Sequence, residues 1–177
     1  LLLASPAQYN SFIAIGIEDG LAQSQVNAVH QDASGYLWIA TQDGLNKYDG
    51  QKFSTYPYTF VDITKPDYSN LGKAYTDRQG GLWIIPMDRI PRKLNRLNDV
   101  FEPLSGIDDV SNIYQDKGLN LWIGTYSKGL YVLRPNTYDP TLIIPPSEIS
   151  ETIFHITQNT SGDILLTTEK EILNKLL

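Results

Sequence analysis

The apolar positions of this chain fall into short runs separated by clusters of Gly, Asp, Asn and Ser. "VNAVHQ" at 26–31, "LWIAT" at 37–41 and "GLYVL" at 129–133 are examples. Runs of this length, rich in β-branched and aromatic residues, predict β-strands. The clusters between them predict tight turns, because Gly and Asp tolerate positive φ or bond locally to the backbone. No segment holds a long helical period. Several prolines lie between the runs, at Pro57, Pro66, Pro140, Pro145 and Pro146, where a missing N–H breaks no sheet ladder.

The pattern repeats. "DASGYLWIAT" at 32–41 returns as "DRQGGLWIIP" at 77–86 and as "DKGLNLWIGT" at 116–125. Each time the Trp follows the Asp by six residues, and Trp38, Trp83 and Trp122 are all the Trp of the chain. A degenerate copy, "NTSGDILLTT" at 159–168, has Asn159 for the Asp and Leu165 for the Trp. The four positions are 45, 39 and 43 residues apart. Repeats of about 40–45 residues with a Trp signature are those of β-propeller blades. The flanks repeat as well. One strand is expected before each Asp, at 26–31, 71–76, 110–115 and 153–158. Another is expected after each Trp segment, at 44–48, 92–96, 129–133 and 171–176, and outer strands at 52–56 and 100–104.

The predicted fold is therefore all-β: a propeller segment over residues 11–177. Its four repeats of four-stranded antiparallel sheet run roughly 18–57, 69–104, 109–138 and 152–177. Trp38, Trp83 and Trp122 are expected to pack between neighbouring blades, since radially repeated sheets must bury their faces against each other. Asp32, Asp77 and Asp116 are expected to form turns. The stretch 11–17 reads as an outer strand. It would complete the last blade if the four repeats closed as a ring, or leave an open edge if they are part of a larger propeller.

These residues resemble the two-component regulator propeller repeats. The resemblance is carried by "GLAQSQVNAVHQDASGYLWIATQDGLNKYDGQKFSTY" at 20–56, "DRQGGLWI" at 77–84 and "DKGLNLWIGTYSKGLYVL" at 116–133. It implies the periplasmic sensor region of a Bacteroidetes hybrid two-component system, with more blades than are present here. It also implies a non-catalytic role and an oligosaccharide as the ligand class. Kinase parts are absent from this chain, so no kinase activity is assigned to it. Remaining blades of a parent chain, and homodimerisation or self-association through open edges, are the expected partners.

In a propeller the loops between strands two and three share a rim with the connections between blades, and such loops carry ligands. Gln42, Asp43, Arg89, Tyr126 and Lys128 lie on the first set. The second set includes 23–25, 58–70, 105–109 and 139–149. Arg89 and Lys128 could engage a carboxylate or sulfate on an acidic sugar, and Tyr126 could stack. The bland alternative is that they are solvated loop residues. Asp108 and Asp109 are adjacent in one loop, a poor arrangement for the two sides of a glycosidic bond. His30 and His155 fall in first strands and read as packing residues. The sequon at Asn159 coincides with a repeat turn.

Composition narrows the rest. With 14 basic and 20 acidic residues the net charge is −6, which disfavours nucleic acid and anionic membrane surfaces as partners. The chain has no Cys and only two His, so disulfides, thiolate sites and a zinc site are not expected, and no cofactor is expected. No apolar run approaches the roughly 18 residues of a membrane span. Residues 1–10 read as a tail or the remnant of a secretory signal.

Overall fold

The computed structural model describes residues 12–58, 75–149, 151–170 and 172–175. Their strands form four antiparallel sheets, each in simple up-and-down order. Blade one contains β1 (Val26–Gln31), β2 (Leu37–Thr41), β3 (Gly44–Tyr48) and β4 (Phe53–Tyr56). Blade two contains β5 (Tyr75–Thr76), β6 (Leu82–Ile84), β7 (Arg92–Asn95) and β8 (Val100–Pro103). Blade three contains β9 (Val110–Gln115), β10 (Leu121–Thr125), β11 (Leu130–Leu133) and β12 (Thr141–Ile144). Blade four contains β13 (His155–Gln158), β14 (Ile164–Thr167) and β15 (Ile172–Lys175).

Three expectations need correction. The stretch 139–149, read as a loop, holds the outer strand β12, with Val132 opposite Thr141. Pro140 and Pro145 bracket that strand without interrupting its bonds. The stretch 11–17, read as an outer strand, joins no sheet among the described residues. Phe12 and Ile13 are 98% and 85% exposed, and Ile17–Asp19 form a 3₁₀ turn closed by Gly20. Blade four accordingly has three strands among the described residues. Residues 1–10, most of the expected strand 71–76 and most of the loop 58–70 lie outside the described residues.

The core is divided into three seams, each with one Trp. Trp38 packs with Leu82, Ile84, Leu94 and Phe101 of blade two. Trp83 packs with Val110, Ile113, Leu121 and Ile123 of blade three. Trp122 packs with Ile153, Ile156, Ile164 and Leu166 of blade four. The strand period of two puts the Trp on one face and its two neighbours on the other. Blades one to three thus each present a Trp to the blade after them, and blades two to four a pair of Leu and Ile to the blade before them. In blade three that pair, Leu121 and Ile123, is buried. In blade one the corresponding Leu37 and Ile39 are only half-buried, and Val29 opposite Ile39 is 59% exposed.

The spacing of six has a direct cause. One oxygen of each repeat Asp accepts the indole N–H of its Trp, at 2.9, 2.9 and 2.8 Å in blades one to three. The other oxygen accepts backbone N–H groups of the turn, from Ser34 and Tyr36, from Gln79 and Gly81, and from Asn120. In blade four there is no indole to satisfy. There Asn159 bonds instead to Asp163, through both its carbonyl and its amide.

Candidate functional site

Turns between second and third strands lie beside the connections between blades, as expected from the repeat order. Val110 N–H donates to the Arg89 carbonyl at 3.0 Å, Tyr126 N–H to the Asp109 carbonyl at 2.9 Å, and Ile153 N–H to the Thr125 carbonyl at 3.1 Å. Two non-glycine residues at these junctions are left-handed, Arg89 with φ of 59° and Asp109 with φ of 58°. This backbone conformation is uncommon outside Gly. Here it turns both side chains toward one place.

Three of the five candidate residues meet there. The Arg89 guanidinium lies over the Tyr126 ring, 3.8 Å from its centroid, and donates to Asp109 at 2.9 Å. Ser127 donates its hydroxyl to the other Asp109 oxygen at 2.8 Å. Lys128 pairs with Asp108, whose carboxylate holds the ammonium pKa above its usual value. Gln42 and Asp43 sit on the equivalent turn of blade one and bond to neither Arg89 nor Lys128. The cluster is thus a set of cation–carboxylate pairs around a stacked ring. The same pairing occurs along the rim, with Asp88 on Arg92 and Glu151 on Lys170. Charges so matched suit neighbouring sugar hydroxyls, which both donate and accept, better than they suit a second anion.

The other singled-out residues are structural. Trp38, Trp83 and Trp122 are at most 5% exposed, as are Asp32, Asp77 and Asp116. Burial raises the Asp32 carboxyl pKa, but the Trp38 indole, the turn N–H groups and Arg96 outweigh it and hold the group below the usual carboxylate range. At Asp77 burial is likewise outweighed, by Trp83, Lys93 and Gly81. His30 faces blade two and shares a 2.5 Å hydrogen bond with the Thr76 hydroxyl. Burial depresses its pKa, with partial opposition from Asp32. His155, expected to pack, is exposed, because it lies on the face of blade four opposite Ile156, which packs on blade three. Among the described residues no group of three or more His, Cys, Asp or Glu could hold a metal ion, and no helix is long and apolar enough to cross a membrane.

One repeated device was not anticipated. The residue just before the turn is Gln31, Gln115 or Gln158 in three of the four repeats. Each Gln amide donates to a carbonyl of its own turn, on Gly35, Leu119 or Gly162. The Gln115 and Gln158 oxygens also accept backbone N–H groups of the preceding blade, from Arg78 at 2.7 Å and Lys117 at 3.1 Å. The signal was present in the aligned repeats, one position before the Asp.

Repeated four-stranded blades that bury one Trp per seam define a β-propeller segment. Residues 20–43 match the model of the two component regulator propeller family. A segment of 66 residues, 36% of this chain, is 41% identical to a histidine kinase of Formosa agariphila and covers 5% of it. Among solved structures, the chain is similar to the extracellular domain of a protein described as a hybrid two component system of B. thetaiotaomicron. The TM-score is 0.66 and the identity 23%, covering 93% of this chain and 26% of that one. A second such domain from the same organism matches with a TM-score of 0.60 and 21% identity, covering 88% of this chain and 23% of that one. The chain therefore spans about a quarter of the extracellular domains it resembles.

Proposed function

We propose that this chain is a non-catalytic part of the extracytoplasmic, periplasmic sensor propeller of a two-component signalling receptor, and that its ligand is an oligosaccharide. The family repeat at 20–43 carries this reading. The rim cluster of Arg89, Tyr126, Lys128, Asp108 and Asp109 supports the ligand class, with a ring to stack on and paired charges for hydroxyls. Because its cations are already matched, a neutral sugar fits it better than the acidic one the loop residues suggested. Further blades of a parent chain would complete the rim. Ligand binding would bias the receptor only through different affinities for two arrangements of the sensor.

The test is thermal unfolding of the chain with neutral and acidic oligosaccharides. A native-state ligand at a hundred times its dissociation constant adds about 2.7 kcal/mol and raises the melting point. A neutral sugar is expected to do so, and Tyr126→Ala to abolish the shift. Stabilisation by none of the panel, here or in the whole sensor, would overturn the ligand class. Capture of a protein partner at the rim would favour a protein-interaction scaffold, and turnover of a glycan would favour an enzyme.

A further inference from the structure

The first two seams are filled differently beside their Trp. In the first seam Trp38 touches two rings, Tyr56 and Phe101, each at 5.4 Å between centroids, and Tyr58 packs on Phe101 at 5.5 Å. Arg96 closes the gap beyond them by bonding to Asp32, Ser34 and Gly80. Strand register gives the counterparts in the second seam. Leu104 stands where Tyr56 does, bonded to Pro91 as Tyr56 pairs with Leu45, and Pro140 stands where Phe101 does. Two rings are missing beside Trp83. The space they leave is a cavity of about 320 Å³ walled by Trp83, Pro103, Leu104 and Leu133, with Glu102 and the 87% exposed Tyr138 at its mouth.

A smaller cavity of about 140 Å³ adjoins it, sharing Trp83, Lys93, Leu133 and Thr137. Arg134 lines this annex, and among the described residues no acceptor engages its guanidinium. The annex carboxylate, Asp77, is buried and already satisfied by Trp83, Gly81 and Lys93. Within the annex the charge left to meet a ligand is therefore positive, while Glu102, held among the described residues only by the Asn95 amide, stands at the mouth of the larger cavity.

We propose that this groove binds a small aromatic carboxylate. Its ring fills the place beside Trp83 that Tyr56 and Phe101 fill beside Trp38, and its carboxylate reaches Arg134, whose planar fork matches it. A groove of about 320 Å³ with largely apolar walls and a few polar groups suits a small ligand of this kind. A sugar fits less well, because hydroxyls facing the Pro103, Leu104 and Leu133 walls find no partner there, Lys93, Glu102 and Thr137 being the polar side chains of the lining. The site shares no residue with the rim cluster and does not depend on the reading of that cluster.

The experiment follows the three indole N–H signals of the full chain while benzoate is added to about 10 mM, which detects dissociation constants in the millimolar range. The Trp83 signal, identified from a Trp83→Phe spectrum, is expected to move saturably while the Trp38 signal stays. Arg134→Gln, an exposed change that leaves the core intact, should weaken benzoate roughly tenfold and leave phenol unchanged. Leu104→Tyr should abolish both by supplying the missing ring, with the melting temperature retained. No saturable shift, or benzoate binding indifferent to Arg134→Gln, would overturn the proposal. So would glucuronate binding as well as benzoate, which would make this a sugar-acid site.

Discussion

A carboxylate that serves a turn with one oxygen and an indole with the other makes Asp and Trp a single unit. Removing either member strands the other in a buried place, which costs about 1–3 kcal/mol. Trp122→Phe and Asp116→Asn should each lower stability by that much, and the double variant by clearly less than their sum. A denaturant-unfolding cycle measures the difference. Blade four contains the relaxed form of the unit, Asn159 with Leu165. The lowered pKa values of Asp32 and Asp77 add a pH dependence. Their ionised forms contribute stability fully above the ordinary Asp value, about 4. That stability is lost as pH falls through their lower folded values. Urea midpoints followed from about pH 5 to about pH 2 should fall, and fall less steeply in Asp32→Asn or Asp77→Asn. The six-residue spacing was plain in the sequence. The bond that causes it was not, because a turn-forming Asp and a seam-filling Trp each had a sufficient separate explanation.

At the level of strands, the seams set what the sequence could reveal. Alternation of Trp with its apolar neighbours marked the buried second strands correctly. β12 was hidden because Thr141–Ile144 is short and flanked by prolines, the signature of a loop. The strand is specified instead by what it covers. Gly129 at the start of β11's hairpin has φ of 85°, and a Cβ there would lie 2.1 Å from the Ile144 carbonyl oxygen. Gly129→Ala should therefore destabilise by more than about 2 kcal/mol, read as a drop in unfolding midpoint. The first seam has a second pH response. The His30 pKa is depressed in the folded chain, so its burial as neutral imidazole supports the seam above about pH 6.5. That support declines as pH falls through this value toward the lower folded one. Melting temperature should dip between about pH 7 and about pH 5 in the native chain and stay flatter in His30→Gln, well above the carboxylate window.

At the scale of the whole molecule, the sequence could bring the right loops to one rim but not match the charges upon it. The pairing of Arg89 with Asp109 depends on the left-handed backbone at both, and an Arg does not announce that conformation. The rim pairs are exposed and each contributes little to stability. Raising salt should leave the melting point of the free chain within about a degree, while weakening any anionic ligand.

The unlike faces of the blades, Trp on one side in blades one to three or Leu165 in blade four and a pair of Leu and Ile on the other, have a consequence for symmetry. A contact between copies that repeats the seams inside the chain joins unlike faces, so it has no two-fold axis. Copies of this chain that associated in that way would join heterologously, the first blade of one against the fourth of the next. Such a contact either closes into a ring or keeps growing. Light scattering over a concentration series would then show a ladder of masses without a plateau at the dimer. Blade four, which offers Leu165 in place of the indole, makes that joint weaker than any seam inside the chain.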